Sequence, residues 1–195
     1  MAQVTGDLAA RGASERLRMT ATHLFNAMRP LDHRQGGPIP ACLAAAAAGD
    51  LVVELVGDGV HLDPAVVRSV FGTVGADQVL LVTDAMAAAG MADGRYELGP
   101  MAVTVRDGVA RVDDPQHPAG GAIAGGTAHL IDVVRATVAA GIGIVEAVRS
   151  ASTVPAGVLG LTDVGSLTAG RRADLVVTDA DLTVRRVVRS GLDVG

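Results

Sequence analysis

Two apolar runs constrain this chain most: "LVVELV" (51–56) and "QVLLVT" (78–83), separated by a stretch that reads as a helix. Runs so short and so nearly continuous suit strands buried on both faces, as in a parallel sheet. In the intervening "DPAVVRSVFG", Asp63 is placed to cap a helix and Pro64 to occupy its first position, with Gly72 as a stop. Residues 40–48 predict another helix, ended by Gly49, and residues 19–24 a third strand. The expectation is three adjacent parallel strands whose carboxyl ends point the same way.

The pattern then changes. Short β segments at 96–98, 101–106 and 109–112 surround a hairpin turn at Asp107-Gly108. A Gly- and Pro-rich loop follows at 113–126, then helices at 128–140 and 144–151. The tail "GSLTAGRRADLVVTDADLTVRRVVRSG" reads as two strands around an Asp-rich turn. There is no internal repeat.

Composition narrows the function classes. The chain has 195 residues, 49% hydrophobic and 19% charged, which predicts a globular domain with a real core. Aromatic residues make up only 2% and the net charge is −5, so neither base stacking nor a basic surface points to nucleic acid. The single cysteine, Cys42, excludes an intrachain disulfide and fits a reducing compartment. No run approaches the ~20 apolar residues of a membrane span, and the first eleven residues lack the apolar core of a signal peptide. A cytoplasmic protein is expected.

Polar residues collect where the strands end. "TATHLFNAM" delivers His23 and Asn26, "LVVELVGDGVH" delivers Asp58 and His61, and "QVLLVTDAM" delivers Asp84. Singly, each has an ordinary reading: His23 as a hydrogen-bonded core histidine, His61 as part of a turn, Asp84 as a helix cap. One such group at each of three successive parallel strand ends points instead to a shared site. Backbone N–H groups at Asn26 and Ala27 can hold an anion, and Arg34, eight residues beyond Asn26, can add a charge to it; the ordinary reading of Arg34 is a solvated surface residue. "GGAIAGGT" (120–127) looks like a phosphate loop but lacks the lysine of one motif and the spacing of the other. It reads as a flexible loop bordering the site. His33, His117 and His129 read as surface or structural residues.

In order, "THLFNAM", "DGVHLDP", "LVTDAMAAAG" and "AIAGGT" resemble the N-acetylglucosamine-6-phosphate deacetylase family of the metal-dependent amidohydrolase superfamily. The resemblance runs from about Thr20 to the tail. It implies an α/β fold: about strands 6–8 of a metal-dependent (β/α)8 TIM-type barrel over residues 1–160, with a β-hairpin insertion near 95–113. Residues 161–195 would be the C-terminal half of a small β-sandwich.

The resemblance also implies roles. His23 would bind a divalent metal, zinc or iron, and Asp84 would be the catalytic acid and base. Asn26 and Ala27 would hold a sugar phosphate, with Arg34 reaching across a homodimer interface. Asp58, Gly59, Val60 and His61 would contact the substrate, and Ile123, Ala124 and Gly125 would touch the sugar. The reaction implied is hydrolysis of the acetamide of N-acetylglucosamine 6-phosphate. A dihydroorotase-like hydrolase is the neighbouring alternative, against which "NAM" and Arg34 speak.

The chain departs from that family upstream. The family uses a Glu and a second His before the "THLFNAM" segment, whereas the 22 residues before His23 contain Glu15 and no histidine. Three strands cannot close a barrel. The expectation is therefore the C-terminal portion of such an enzyme, either completed by a missing part or a non-catalytic remnant that binds metal poorly.

Overall fold

A computed structural model of the chain describes residues 18–117 and 120–194. The strands β1 (Met19–Ala21), β2 (Leu51–Leu55) and β3 (Val79–Leu81) lie in the order β1-β2-β3, and both pairings are parallel. Thr20 faces Val52 across the sheet, and Leu55 faces Leu81. Three parallel strands are therefore present as expected, but each is shorter. Beyond Ala21 the chain turns through left-handed residues, and Gln78 belongs to a 3-10 turn (Ala76–Gln78). Two bonds carry the ladder past the strand ends: Leu24 N–H to the Glu54 carbonyl (2.8 Å) and Val82 N–H to the Leu55 carbonyl (3.0 Å).

The continuous apolar runs are explained by burial on both faces. Val53, Leu55, Val79 and Leu81 belong to the main core. Their alternates Val52 and Leu80 join Val154 in a second cluster. Two helices frame β2. Helix α1 (Pro38–Ala47) starts two residues earlier than expected, because Pro38 as well as Pro40 fits a first turn. In α2 (Pro64–Val74), Val67, Val70, Phe71 and Val74 are buried at the spacing of one helix face. The Asp63 side chain caps it, accepting from Ala65 N–H at 2.7 Å. Gly72 does not stop it. Stopping needs a residue in the left-handed region, and Gly75 (φ 77°) provides that, while Phe71 and Val74 hold the last turn to the core.

Helices α3 (Leu130–Ala139) and α4 (Ile144–Ala151) follow expectation, the first two residues late. A further helix, α5 (Thr153–Val158), was not legible in "TVPAGVLG", whose Pro and Gly read as breakers; Pro155 is tolerated because it lies in the first turn. No helix among the described residues is long and apolar enough to cross a membrane.

A second sheet is an antiparallel meander of β4 (Gly94–Leu98), β5 (Met101–Arg106) and β6 (Val109–Val112). Its inner residues Val103, Val105 and Ala110 pack with Met86 and Ala88. Asp107 (φ 50°) and Gly108 (φ 71°) make the expected hairpin turn. The Asp93 carboxylate clasps that turn, accepting from the N–H groups of Asp107 (2.6 Å) and Gly108 (3.1 Å). The third sheet has three strands where two were expected: β7 (Leu175–Thr178), β8 (Val184–Arg189) and β9 (Leu192–Asp193). Left-handed Ser190 and Gly191 make the second turn. Leu182, between β7 and β8, plugs into the main core, and Arg135 of α3 donates to the Asp181 and Leu182 carbonyls.

The segment 120–127 is not the free loop that its glycines suggest. On one side Ala124 N–H donates to the Ala110 carbonyl and Val112 N–H to the Ala122 carbonyl, both at 3.0 Å. On the other, Gly126 N–H donates to the Asp84 carbonyl (2.6 Å) and Met86 N–H to the Gly126 carbonyl (3.0 Å). The glycines allow the backbone to come this close: a Cβ on Gly126 would sit 1.8 Å from the Thr83 carbonyl oxygen.

Two outcomes follow for stability. Asp63→Ala removes the cap of α2 and should cost about 1 kcal/mol in urea unfolding. Gly126→Ala forces backbone apart at the end of β3 and should cost more, on the order of 1–3 kcal/mol, read as a larger drop in the same midpoint.

Candidate active site

Because β1, β2 and β3 run the same way, the residues after each arrive at one edge of the sheet: His23 after β1, Asp58 and His61 after β2, Asp84 after β3. The local backbone there is strained. His23 (φ 33°), Phe25 (φ 80°), Ala27 (φ 54°) and Asp84 (φ 50°) are all left-handed without being glycine. Each such residue costs on the order of 1–3 kcal/mol and persists only where its surroundings enforce it, which happens at sites that must aim a side chain. Packing of Leu24, which is fully buried, and the paired carbonyl of Asp84 do the enforcing.

The best-defined geometry is between His61 and the two aspartates. His61 Nδ1 lies 2.8 Å from Asp58 Oδ2, and its Nε2 lies 4.0 Å from Asp84 Oδ2. The His61 and Asp58 side chains are 3% and 5% exposed, whereas Asp84 is 37% exposed and open to solvent. Burial pushes the Asp58 carboxyl upward, but hydrogen bonds from the His61 ring and from the His61 and Val60 backbone outweigh it and hold the group below the usual carboxylate range. His61 Nε2 is buried and has no partner among the described residues, and the same is true of His23 Nδ1. Unpaired buried ring nitrogens are costly in a finished core and ordinary in a site awaiting a ligand.

The other expected site residues are placed less uniformly. Asn26 turns inward: its backbone N–H (2.9 Å) and its side-chain amide (3.2 Å) both donate to the His23 carbonyl. Its N–H is therefore not free for an anion, while exposed Ala27 has no such bond. Arg34 is exposed; its backbone N–H donates to Asp32 Oδ1 (2.8 Å), and its guanidinium has no partner among the described residues. Gly59 (φ 80°) and Val60 form the exposed turn between Asp58 and His61. Ile123 bridges Arg111 of β6, Ala124 bonds Ala110, and at Gly125 (φ 124°) a Cβ would meet the Asp84 carbonyl oxygen and the Met86 Cβ, each at 3.0 Å. A cavity of about 70 Å³ is lined by Asp58, His61, Val109 and Gly125 among others, so the hairpin and the pinned segment both border the Asp58–His61 pair. His33 and His117 are exposed and paired with Asp32 and Asp114, and His129 begins α3, in line with structural roles.

Thr137 of α3 was not singled out from the sequence. Its buried hydroxyl donates to the Gly57 carbonyl (3.4 Å), and a Cβ on Gly57 would meet that oxygen at 2.7 Å. No spacing rule links positions 57 and 137. Asp58 did carry a signal: an Asp followed by Gly, one residue and His is the spacing of a turn closed by its own carboxylate.

The metal expectation meets a limit. Among the described residues no three of His, Cys, Asp and Glu gather to hold an ion. A zinc site of this kind uses about three protein ligands and a water. His23 offers one buried, unpaired nitrogen, so the described residues alone do not fit a resident metal. Glu15 lies outside the described residues.

Residues 10–192 match the amidohydrolase family. The chain is 35% identical over 186 residues to N-acetylglucosamine-6-phosphate deacetylase of Bacillus subtilis (strain 168), covering 91% of this chain and 42% of that protein. It is 38% identical over 167 residues to an Escherichia coli (strain K12) protein named "Putative N-acetylgalactosamine-6-phosphate deacetylase", covering 85% of this chain and 94% of that one. Among solved structures it is similar to N-acetyl-D-glucosamine-6-phosphate deacetylase of Mycobacterium smegmatis, an Asp-to-Ala mutant in complex with N-acetyl-D-glucosamine-6-phosphate. The TM-score is 0.81 at 45% identity, over 90% of this chain and 45% of that one. The chain thus spans less than half of the Bacillus and Mycobacterium proteins and nearly all of the Escherichia coli one. With its parallel strands, its polar strand ends and a match over nearly its whole length, the chain belongs to the amidohydrolase family.

Proposed function

We propose that this chain carries the phosphate-facing and acetamide-facing part of an amino-sugar 6-phosphate deacetylase, with N-acetylglucosamine 6-phosphate as substrate. The observation that supports this most is the convergence of His61 and Asp84 on one strand edge, where the buried His61 Nε2, without a hydrogen-bond partner, lies 4.0 Å from Asp84 Oδ2. In this reading residues 1–160 are part of a barrel and 161–195 the C-terminal segment of a β-sandwich. The substrate phosphate lies against Ala27 and Asn26, and Arg34 comes from the second subunit of a homodimer. Gly59 and Val60 line the sugar, with Ile123, Ala124 and Gly125 opposite.

An acetamide is a weak electrophile and water a weak nucleophile, so both ends of the reaction need help. Asp84 takes a proton from the water that attacks the acetyl carbon, then returns it to the amine as the C–N bond breaks. Its exposure, 37%, leaves it reachable by that water. His61 faces the acetyl oxygen. Phosphate contacts remote from the reacting carbon fix the sugar so that the carbonyl meets Asp84 in the right geometry. A divalent metal, when bound, would activate the water and polarise the carbonyl, and His23 would be one of the residues that hold it.

A second reading, a non-catalytic remnant, draws on the absence of a three-ligand cluster among the described residues. One pair of measurements separates the two. The 195-residue chain, dialysed against zinc, should hold far less than one metal per chain and release no measurable acetate from N-acetylglucosamine 6-phosphate. A chimera in which residues 18–194 replace the matching segment of the Mycobacterium smegmatis deacetylase should bind metal and release acetate, and Asp84→Asn in it should cut kcat by about 10²–10⁴-fold. A folded, metal-loaded chimera without turnover would favour the remnant. Ordinary turnover by the chain alone would show that its own residues complete the metal shell.

A further inference from the structure

We propose that Asp58 is a positioning residue: it fixes the ring of His61 with the proton on Nδ1, so that only Nε2 faces the substrate. The resemblance places Asp58 among the substrate contacts, and its surroundings argue otherwise. The side chain is 5% exposed. Both carboxylate oxygens are engaged within the four residues 58–61. Oδ1 accepts from the backbone N–H of Val60 (2.8 Å) and of His61 (2.9 Å), and Oδ2 lies 2.8 Å from His61 Nδ1.

The assignment of the proton follows from what each partner can do. An ionised carboxylate only accepts hydrogen bonds, so Nδ1 must be the donor. Three hydrogen bonds to Asp58 favour the ionised form over the protonated one. The ring therefore turns Nε2, which is buried and without a hydrogen-bond partner, towards Asp84, 4.0 Å from that carboxylate. The scaffold beneath is rigid. Gly57 is fully enclosed against Thr137 of α3, and Gly59 (φ 80°) takes the left-handed conformation that closes the turn. Asp58 thus acts on the reaction only through His61, as second groups orient catalytic and metal-bound histidines elsewhere.

This proposal deepens the deacetylase reading and rests on it for its catalytic consequence, but its first test needs no turnover. In the ¹⁵N-histidine-labelled 195-residue chain, long-range ¹⁵N–¹H spectra should show His61 Nδ1 protonated and protected from exchange. Asp58→Asn should reverse the tautomer: Oδ1 stays with the two backbone donors, the amide nitrogen replaces Oδ2, and it donates to Nδ1, leaving the proton on Nε2. Asp58→Ala should abolish the protection. A bare Nδ1 in the wild-type chain, or an unchanged ring pattern in a folded Asp58→Asn variant, would overturn the proposal. In the chimera, Asp58→Asn should lower kcat by about 10²-fold or more with KM nearly unchanged. A raised KM at constant kcat would return Asp58 to the substrate surface. The spectra stand whether or not the chimera turns over, so failure of the deacetylase reading and failure of this one are separately visible.

Discussion

Parallel backbone pairing between β1, β2 and β3 is the constraint on which the rest of the structure depends. It is demanding, because a parallel ladder needs cover on both faces and a crossover between every pair of strands. Val52 and Val53, adjacent in sequence and both without exposed surface, show how fully that demand is met. What the arrangement returns is directional. All strand ends arrive on the same side, and whatever side chains follow them are gathered without any further device. His23, His61 and Asp84 follow strand ends on one side of the sheet because their strands are parallel.

Gathering residues is not the same as aiming them. The aiming is done by backbone in a conformation that ordinary residues avoid, at His23, Phe25, Ala27 and Asp84. These positions sit just beyond the rigid ladder, where Leu24 is anchored by Glu54 and Asp84 by Gly126. Strain is carried where packing is firm enough to hold it. The sequence has helped by placing glycine at 57 and 126, where the neighbouring atoms leave no room for a Cβ.

Much of this was legible in the sequence, and the exceptions have physical causes. The strand positions, the Asp63 cap and the Asp107-Gly108 turn were readable because each depends on a few adjacent residues. The stop of α2 was misjudged because Gly72 and Gly75 are alike in composition and differ only in conformation, which the core packing of Phe71 and Val74 decides. The segment 120–127 departs from expectation for a related reason: its glycines suggest freedom, whereas here they permit close backbone approach on two sides. At the strand ends, the polar residues that follow each strand are legible and their orientations are not. Nothing in "GDGVH" says that Asp58 faces inward, and Asn26 uses its N–H on its own turn. Thr137 is eighty positions from the carbonyl that it meets, a distance that no local pattern spans.

The double pinning of Ile123, Ala124 and Gly125 has a consequence for how such a site can diverge. The segment has no anchor of its own: it inherits its position from β6 on one side and from the end of β3 on the other. The meander that carries β6 is itself set by the Asp93 clasp at its turn. A change in that hairpin, whose Gly108 and Val109 line the same cavity as Asp58 and His61, would re-seat the neighbouring wall while leaving the parallel ladder as it is. A wall carried on a clasped turn can be shifted by changes at the clasp itself, without altering the ladder that places His61 and Asp84.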